Sequence, residues 1–233
     1  MHILSTEQFT TPYIDELFED VDRIRLDLAT DRRALAQRHV GAIAATLFYE
    51  PSTRTRLSFA SAGERLGIRT ITTENASEFS SAVKGESLED SIRTVAAYAD
   101  TIVLRHSEED APERAAAVSS VPIINAGAGK GEHPTQALLD LYTIRQAKGR
   151  MDNLNIVIGG DLKHGRTARS LARLAALYSG NSITFVSTPE LQMEQDILDH
   201  LDRHATAYTQ TDSLALQDAD VVYWTRLQKE RLQ

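Results

Sequence analysis

The chain has 233 residues, 42% of them hydrophobic, with ordinary glycine and proline usage, which suffices for one large globular domain or two small ones. Its formal net charge of -8 argues against a general binder of nucleic acid or anionic membrane, because like charges repel unless basic residues cluster, so any anion site must be local. It has no cysteine, which excludes disulfides and thiolate metal sites; with no leader-like start and no apolar run of membrane-spanning length, a soluble cytoplasmic protein is expected.

In chain order, the first apolar run is 42–49, read as a strand. It runs into Phe48-Tyr49-Glu50-Pro51-Ser52-Thr53-Arg54-Thr55-Arg56, where a helix begins that should end at Leu66, before Gly67. Three hydroxyls and two guanidiniums lie within five residues at that helix start, next to its unpaired N–H groups and partial positive charge. The pattern suits a phosphate cradle; the alternative is an N-cap serine followed by solvated arginines.

Strands are expected at 70–73, 101–104 and 121–125, with an amphipathic helix over 87–99. Two weaker signals fall here, Ser80 to Ser87 and Arg105 just after a strand; each alone reads as a solvated loop. The loop Asn125-Ala126-Gly127-Ala128-Gly129-Lys130-Gly131-Glu132-His133 then opens a helix over 134–148. Its apolar stripe reads as Leu138, Leu141, Tyr142 and the stem of Arg145. A histidine at a helix start should stay neutral and donate a hydrogen bond to a carbonyl, although a plain capping role remains open. Gln136, one turn inward, offers an amide that could read an NH2 group.

The stretch 149–153 breaks the pattern, placing a boundary between domains at 1–148 and 149–233. Further strands are expected at 154–158, 182–186, 205–208 and 221–224. Apolar runs separated by amphipathic stretches imply the α/β class: two doubly wound parallel-sheet domains, the second incomplete because only 84 residues remain from Arg150 onward. The turn Gly159-Gly160-Asp161-Leu162-Lys163-His164-Gly165-Arg166-Thr167 is close to a P-loop with arginine in place of lysine, which raises nucleotide binding as a rival. No strand ending in aspartate stands out as a magnesium holder, and an arginine fork suits a carboxylate at least as well, so Arg166 reads better as a carboxylate clamp. Thr225 to Arg231 is a further weak basic signal.

At these residues the sequence resembles the aspartate carbamoyltransferases of pyrimidine biosynthesis. Phe48 to Arg56 matches the family's carbamoyl-phosphate signature, and His133-Pro134-Thr135-Gln136 with Leu138-Leu139-Asp140 matches its second. Gly160 to Thr167 and Arg226 to Arg231 resemble the aspartate enzymes rather than their ornithine relatives. The resemblance implies transfer of the carbamoyl group of carbamoyl phosphate to L-aspartate without metal or cofactor. It implies that Ser52, Thr53, Arg54 and Thr55 hold the phosphate, that Arg105 bridges phosphate and carbonyl, and that Thr55 and His133 polarise that carbonyl. Gln136 would bind the carbamoyl nitrogen, while Arg166, Arg226 and Gln228 would orient aspartate. Ser80 and Lys84 would complete a neighbouring chain's site in a homotrimer, and a separate regulatory chain is left open.

Two departures stand out. Ala128 occupies a position where the family usually has aspartate, and the family continues past Arg231 with another strand, a His-Pro-Leu-Pro loop and closing helices. A fragment, or a chain completed by a partner, is therefore expected, with apolar surface and a sheet edge exposed in the second domain. The alternative function is a non-catalytic trimeric scaffold.

Overall fold

The computed structural model describes residues 1–74, 85–129, 131–214 and 216–226. The chain divides into two compact units, Met1–Gln8 with Asp15–Gly131 and Phe9–Ile14 with Glu132–Gln233. Ahead of the sheets lie α1 (Thr11–Thr30) and the short α2 (Arg32–Leu35).

The first unit is a four-stranded sheet of β1 (Ile43–Phe48), β2 (Arg69–Glu74), β3 (Thr101–His106) and β4 (Ile123–Ala128). All pairs are parallel and the order is β2-β1-β3-β4. Alternation along the strands serves two buried faces. Ala45, Leu47, Ile102, Leu104 and Ile123 pack with α4 (Leu88–Ala96) and α5 (Ala111–Val118), whereas Phe48 and Val103 join Phe59 of α3 (Thr53–Leu66) in a separate cluster. The outer edge of β4 is not left open: Ile3 N donates to Ile123 O at 2.8 Å and Asn125 N to Ile3 O at 2.8 Å.

Local chemistry fixes the helix ends. Ser87 caps α4 by accepting from Asp90 N at 3.1 Å, and Leu88, Ile92 and Ala96 repeat at four-residue spacing to form its buried stripe. Helix α3 ends at Gly67, whose φ of +80° is left-handed and whose Cα lies so close to Ala36 O that a Cβ would collide with it.

The second unit carries α6 (Pro134–Lys148), β5 (Asn155–Gly159), α7 (Arg166–Ala175), β6 (Ser182–Val186), α8 (Gln195–Arg203), β7 (Ala207–Thr211) and β8 (Val221–Trp224). Its sheet is again parallel, in the order β7-β6-β5-β8. Ile156, Ile158, Ile183 and Phe185 form one core with Ala168, Leu171 and Ala172 of α7 and Ile197, Leu198 and Leu201 of α8. On the edge strand β8, Val221 and Tyr223 pack against that core, while Val222 and Trp224 are 49% and 55% exposed. The α/β class and the two parallel sheets agree with the sequence reading.

Three expectations need correction. The last strand of the first sheet runs Ile123–Ala128 rather than 121–125, because Val121 is tied back to the hydroxyl of Ser119, its N donating to that oxygen at 3.2 Å and its O accepting from it at 2.7 Å. The third strand of the second sheet starts at Ala207 rather than 205, because His204, Ala205 and Thr206 turn back on α8: Thr206 N donates to Leu201 O at 3.0 Å and Ala205 takes φ +52°. The buried stripe of α6 is Ala137, Leu138, Leu141 and Ile144; Tyr142 is only half-buried and instead underlies Arg145, whose guanidinium carbon is 5.2 Å from the ring centre. No helix among the described residues is long and apolar enough to cross a membrane.

Asn181 ties the start of the second sheet together. Its side chain accepts from Leu154 N at 2.9 Å and donates to Met151 O and Ala175 O at 2.9 and 2.8 Å, all buried. Asn181→Ala strands several buried backbone groups and is expected to destabilise the chain by at least about 3 kcal/mol, read as a lowered urea midpoint.

Candidate active site

In the sheet order β2-β1-β3-β4 the chain runs one way from β1 to β2 and the other way from β3 to β4, so the loops leaving β1 and β3 diverge. A crevice at the carboxyl ends of a parallel sheet is expected at such a switch point. The turn that carries Ser52 to Thr55 follows β1, and Arg105 stands on β3 as the register partner of Phe48, with Tyr49 N donating to Arg105 O at 2.8 Å. The structure therefore brings the phosphate-cradle residues and Arg105 to one spot.

Ser52 is the N-cap of α3 but its side chain makes no capping hydrogen bond. Among the described residues, the N–H groups of Thr53, Arg54 and Thr55 also have no partner, while Arg56 N already donates to Ser52 O at 3.1 Å. Arg54 is exposed, and Ser52 and Thr55 are half-buried. A helix start with open N–H groups, uncommitted hydroxyls and an available guanidinium is an anion receptor, not a self-satisfied cap. Arg105, 11% exposed, is held in place by Ala126 O at 3.1 Å and by the Glu50 carboxylate at 3.3 Å.

The second sheet has its own switch point between β5 and β8. Arg166 opens α7 after β5, and Arg226 follows β8. The two turns touch: Thr225 N donates to Gly159 O at 2.8 Å, and Thr225 Oγ1 to the same oxygen at 3.2 Å. Here glycine is required twice. A Cβ on Gly159 would enter the Trp224 ring, and one on Gly160, at φ +106°, would collide with Thr225 O.

The loop part of the P-loop-like turn has most of its backbone already engaged. Leu162 N and Lys163 N both donate to Leu191 O at 3.1 Å, and Arg166 N donates to His164 O at 3.1 Å. His164 N donates to the carboxylate of Asp161 at 3.0 Å, and Asp161 is fully buried, at 0% exposure. Four N–H groups of this turn are thus engaged and a carboxylate already sits inside it, although those of Thr167 and Ala168 have no partner among the described residues; the buried negative charge of Asp161 is what weighs against a nucleotide phosphate.

His133 is the N-cap of α6 and is 6% exposed, with no side-chain capping bond. Its backbone N donates to Ser170 Oγ on α7 at 3.3 Å, and its Nδ1 lies 3.4 Å from Thr135 Oγ1. The preceding Glu132 is paired with Arg173 of α7 at 3.0 Å. One turn into α6, Gln136 Nε2 donates to Asp140 Oδ1 at 2.9 Å. Burial raises the Asp140 carboxyl above its ordinary range, against the opposing effect of the bond from Gln136. Tyr223 of β8 lies beside it, its hydroxyl pushed up to about 12 chiefly by burial and partly by the Asp140 charge.

Of the residues expected to act, Ser80, Lys84 and Gln228 lie outside the described residues. Among the described ones no cluster of three His, Asp or Glu gathers that could hold a metal ion. The sequence reading gave no role to Glu50, Asp140, Ser170 or Arg173. Only the four-residue step from Gln136 to Asp140 along a helix carried a usable signal.

The sequence matches the family model described as aspartate/ornithine carbamoyltransferase, carbamoyl-P binding domain, over residues 1–146, and the Asp/Orn binding domain of the same family over 152–233. Aspartate carbamoyltransferase 3, chloroplastic, of Pisum sativum is 48% identical over 98% of this chain and 59% of its own length. The aspartate carbamoyltransferase catalytic subunit of Methanocella arvoryzae is 49% identical over 99% of this chain and 74% of its own. The chain thus spans about three fifths of the Pisum sativum relative. Among solved structures, the catalytic subunit of M. jannaschii aspartate transcarbamoylase aligns with TM-score 0.91 at 45% identity, over 99% of this chain and 75% of that one. Aspartate transcarbamoylase from Trypanosoma cruzi in complex with N-(phosphonacetyl)-L-aspartic acid aligns with TM-score 0.92 at 40% identity, over 99% and 73%.

The contact between the β5 and β8 turns tolerates no side chain at Gly160. Gly160→Ala is expected to cost about 1–3 kcal/mol through backbone strain alone, and more through displacement of Thr225. Chemical denaturation checks this; a stability equal to the parent chain would contradict the tight approach of the two turns.

Proposed function

Because the chain belongs to the aspartate/ornithine carbamoyltransferase family, we propose that it transfers the carbamoyl group of carbamoyl phosphate to the amine of L-aspartate, giving N-carbamoyl-L-aspartate and phosphate. The observation that carries this reading is the helix start at Ser52 to Thr55, whose open N–H groups and uncommitted hydroxyls lie at a switch point beside Arg105. A dianionic phosphate needs such donors.

The parts then take these roles. Ser52, Thr53, Arg54 and Thr55 bind the phosphate, and Arg105 reaches both phosphate and carbonyl. Thr55 and His133 donate to the carbonyl oxygen, and Gln136 accepts from the carbamoyl NH2. Arg166, Arg226 and Gln228 hold the two carboxylates of aspartate, whose neutral amine attacks the carbonyl carbon. The carbon–nitrogen bond forms as negative charge grows on the oxygen; the carbon–oxygen bond to phosphate then breaks, and the departing phosphate takes the amine's proton. Two anions that repel each other are held together by fixed donors, so the catalytic contribution is positioning and charge stabilisation.

The choice of aspartate is supported by two arginine-bearing turns at the second switch point and by relatives named for aspartate. The assembly belongs to the same proposal: a homotrimer in which Ser80 and Lys84 of one copy complete the site of the next, working in the cytoplasm, where a cysteine-free chain is at no disadvantage.

Arg54→Ala removes a charge-assisted hydrogen bond to a dianion, worth roughly 1.5–3 kcal/mol, and should weaken carbamoyl phosphate binding at least about tenfold by calorimetry. Unchanged affinity would take Arg54 out of the site. In a parallel thermal-shift assay, N-(phosphonacetyl)-L-aspartic acid should raise the melting temperature and magnesium ATP should not; the opposite pattern would return the nucleotide reading.

A further inference from the structure

A glutamine side chain is ambiguous by itself. One end of its amide donates two hydrogen bonds, the other only accepts, and the two ends are nearly the same shape. Which end faces a ligand decides whether the site receives a donor or an acceptor. Gln136 is on the first turn of α6, and its Nε2 donates to Asp140 Oδ1 at 2.9 Å, one helical turn further on. An ionised carboxylate has no hydrogen to give, so only the NH2 end can turn toward it. Among the described residues no group donates to Gln136 Oε1. The acceptor end is therefore the one left for a ligand.

We propose that Asp140 is a positioning residue for donor selection: by holding the NH2 end of Gln136, it presents Oε1 as a fixed acceptor and makes the site choose an acyl phosphate that bears an NH2 group over one that bears a methyl. The inference rests on the carbamoyl-transfer reading and deepens it. A carbamoyl group and an acetyl group have almost the same size and the same carbonyl; the N–H donors are what separates them. A pocket that simply fits the shape cannot tell them apart well, whereas a fixed acceptor that goes unpaired with the methyl compound can. Without Asp140 the amide is free to turn over, and with its NH2 end outward it would oppose the carbamoyl NH2. Asp140 itself is half-buried in its unit, near Tyr223, and does not need to touch the donor.

The test uses two unreactive phosphonates, phosphonoacetamide and its methyl ketone counterpart acetonylphosphonate, titrated into the full chain by calorimetry. The parent chain should bind the amide more tightly than the ketone by roughly tenfold, the scale of one hydrogen bond left unmade. Asp140→Leu should bring that ratio close to one. Asp140→Asn, which can still turn a carbonyl oxygen toward Gln136 Nε2, should restore much of it. Damage to the fold would weaken both probes together and leave the ratio in place, so the ratio separates orientation from structure. Asp140→Ala, which adds no bulk, takes the place of leucine if that chain does not fold, with the same loss expected. A ratio preserved in the leucine or alanine chain overturns the role of Asp140. A parent chain that binds both probes equally also overturns it while leaving the phosphate site standing, and one that binds neither overturns the carbamoyl reading as well.

Discussion

A helix can receive an anion at its start only if the N–H groups of its first turn have nothing else to do. That constraint separates two strand-to-helix turns that look alike in composition. After β1, Ser52 keeps its hydroxyl off the backbone and Thr53, Arg54 and Thr55 keep their N–H groups open. After β5, the N–H groups of Leu162, Lys163, His164 and Arg166 are all consumed, three by carbonyls and one by the buried Asp161 carboxylate. The first turn keeps its three opening N–H groups free; the second has Arg166 N engaged and a buried carboxylate beside it, with Thr167 N and Ala168 N open among the described residues. Glycine content alone does not distinguish them; hydrogen-bond disposal does.

Most of the fold was legible because its boundaries have strong local causes. Pro134 and Gly149 bracket α6, and Ser52 and Gly67 bracket α3, so those ends read correctly. Continuous apolar runs without alternation gave the parallel sheets. The failures have equally local causes. The start of β7 was misplaced because Ala205 adopts a left-handed backbone that composition does not announce. The stripe of α6 was misjudged because Tyr142 has the spacing of a core residue but the exposure of a cation partner. In the candidate site, single arginines and hydroxyls could be picked out, but not the pairing of Arg105 with Glu50, which are brought together only by the β1–β3 register.

The acidic balance of the chain fits this division of labour. A net charge of -8 repels anions from the surface at large, so any anion site must depend on fields that act within a few ångströms. Helix-start N–H groups and guanidiniums at strand ends act in that range. Several of the arginines outside these turns are neutralised: Arg114 by Glu89 and Glu108, and Arg169 and Arg173 by Glu194, Asp196 and Glu132. These pairs are partly exposed and add little stability one by one. They neutralise basic side chains away from these turns, and in the case of Glu132 with Arg173 they tie the residue next to His133 to α7.

If a reaction needs no metal and no covalent intermediate, everything it gains must come from groups set beforehand in the right orientation, because reorganising them during the reaction would return the advantage to water. A guanidinium carries N–H donors all around its plane and no acceptor, so turning it over does not change what it offers. For an amide it does. Gln136 contributes only if one of its two faces is enforced, and an adjacent carboxylate is the cheapest means to enforce it, because it accepts hydrogen bonds and gives none. The cost is a carboxylate kept half-buried, whose titration burial raises. Such a group would be an odd choice for stability, and it makes sense where the orientation of a neighbour matters more than the stability lost.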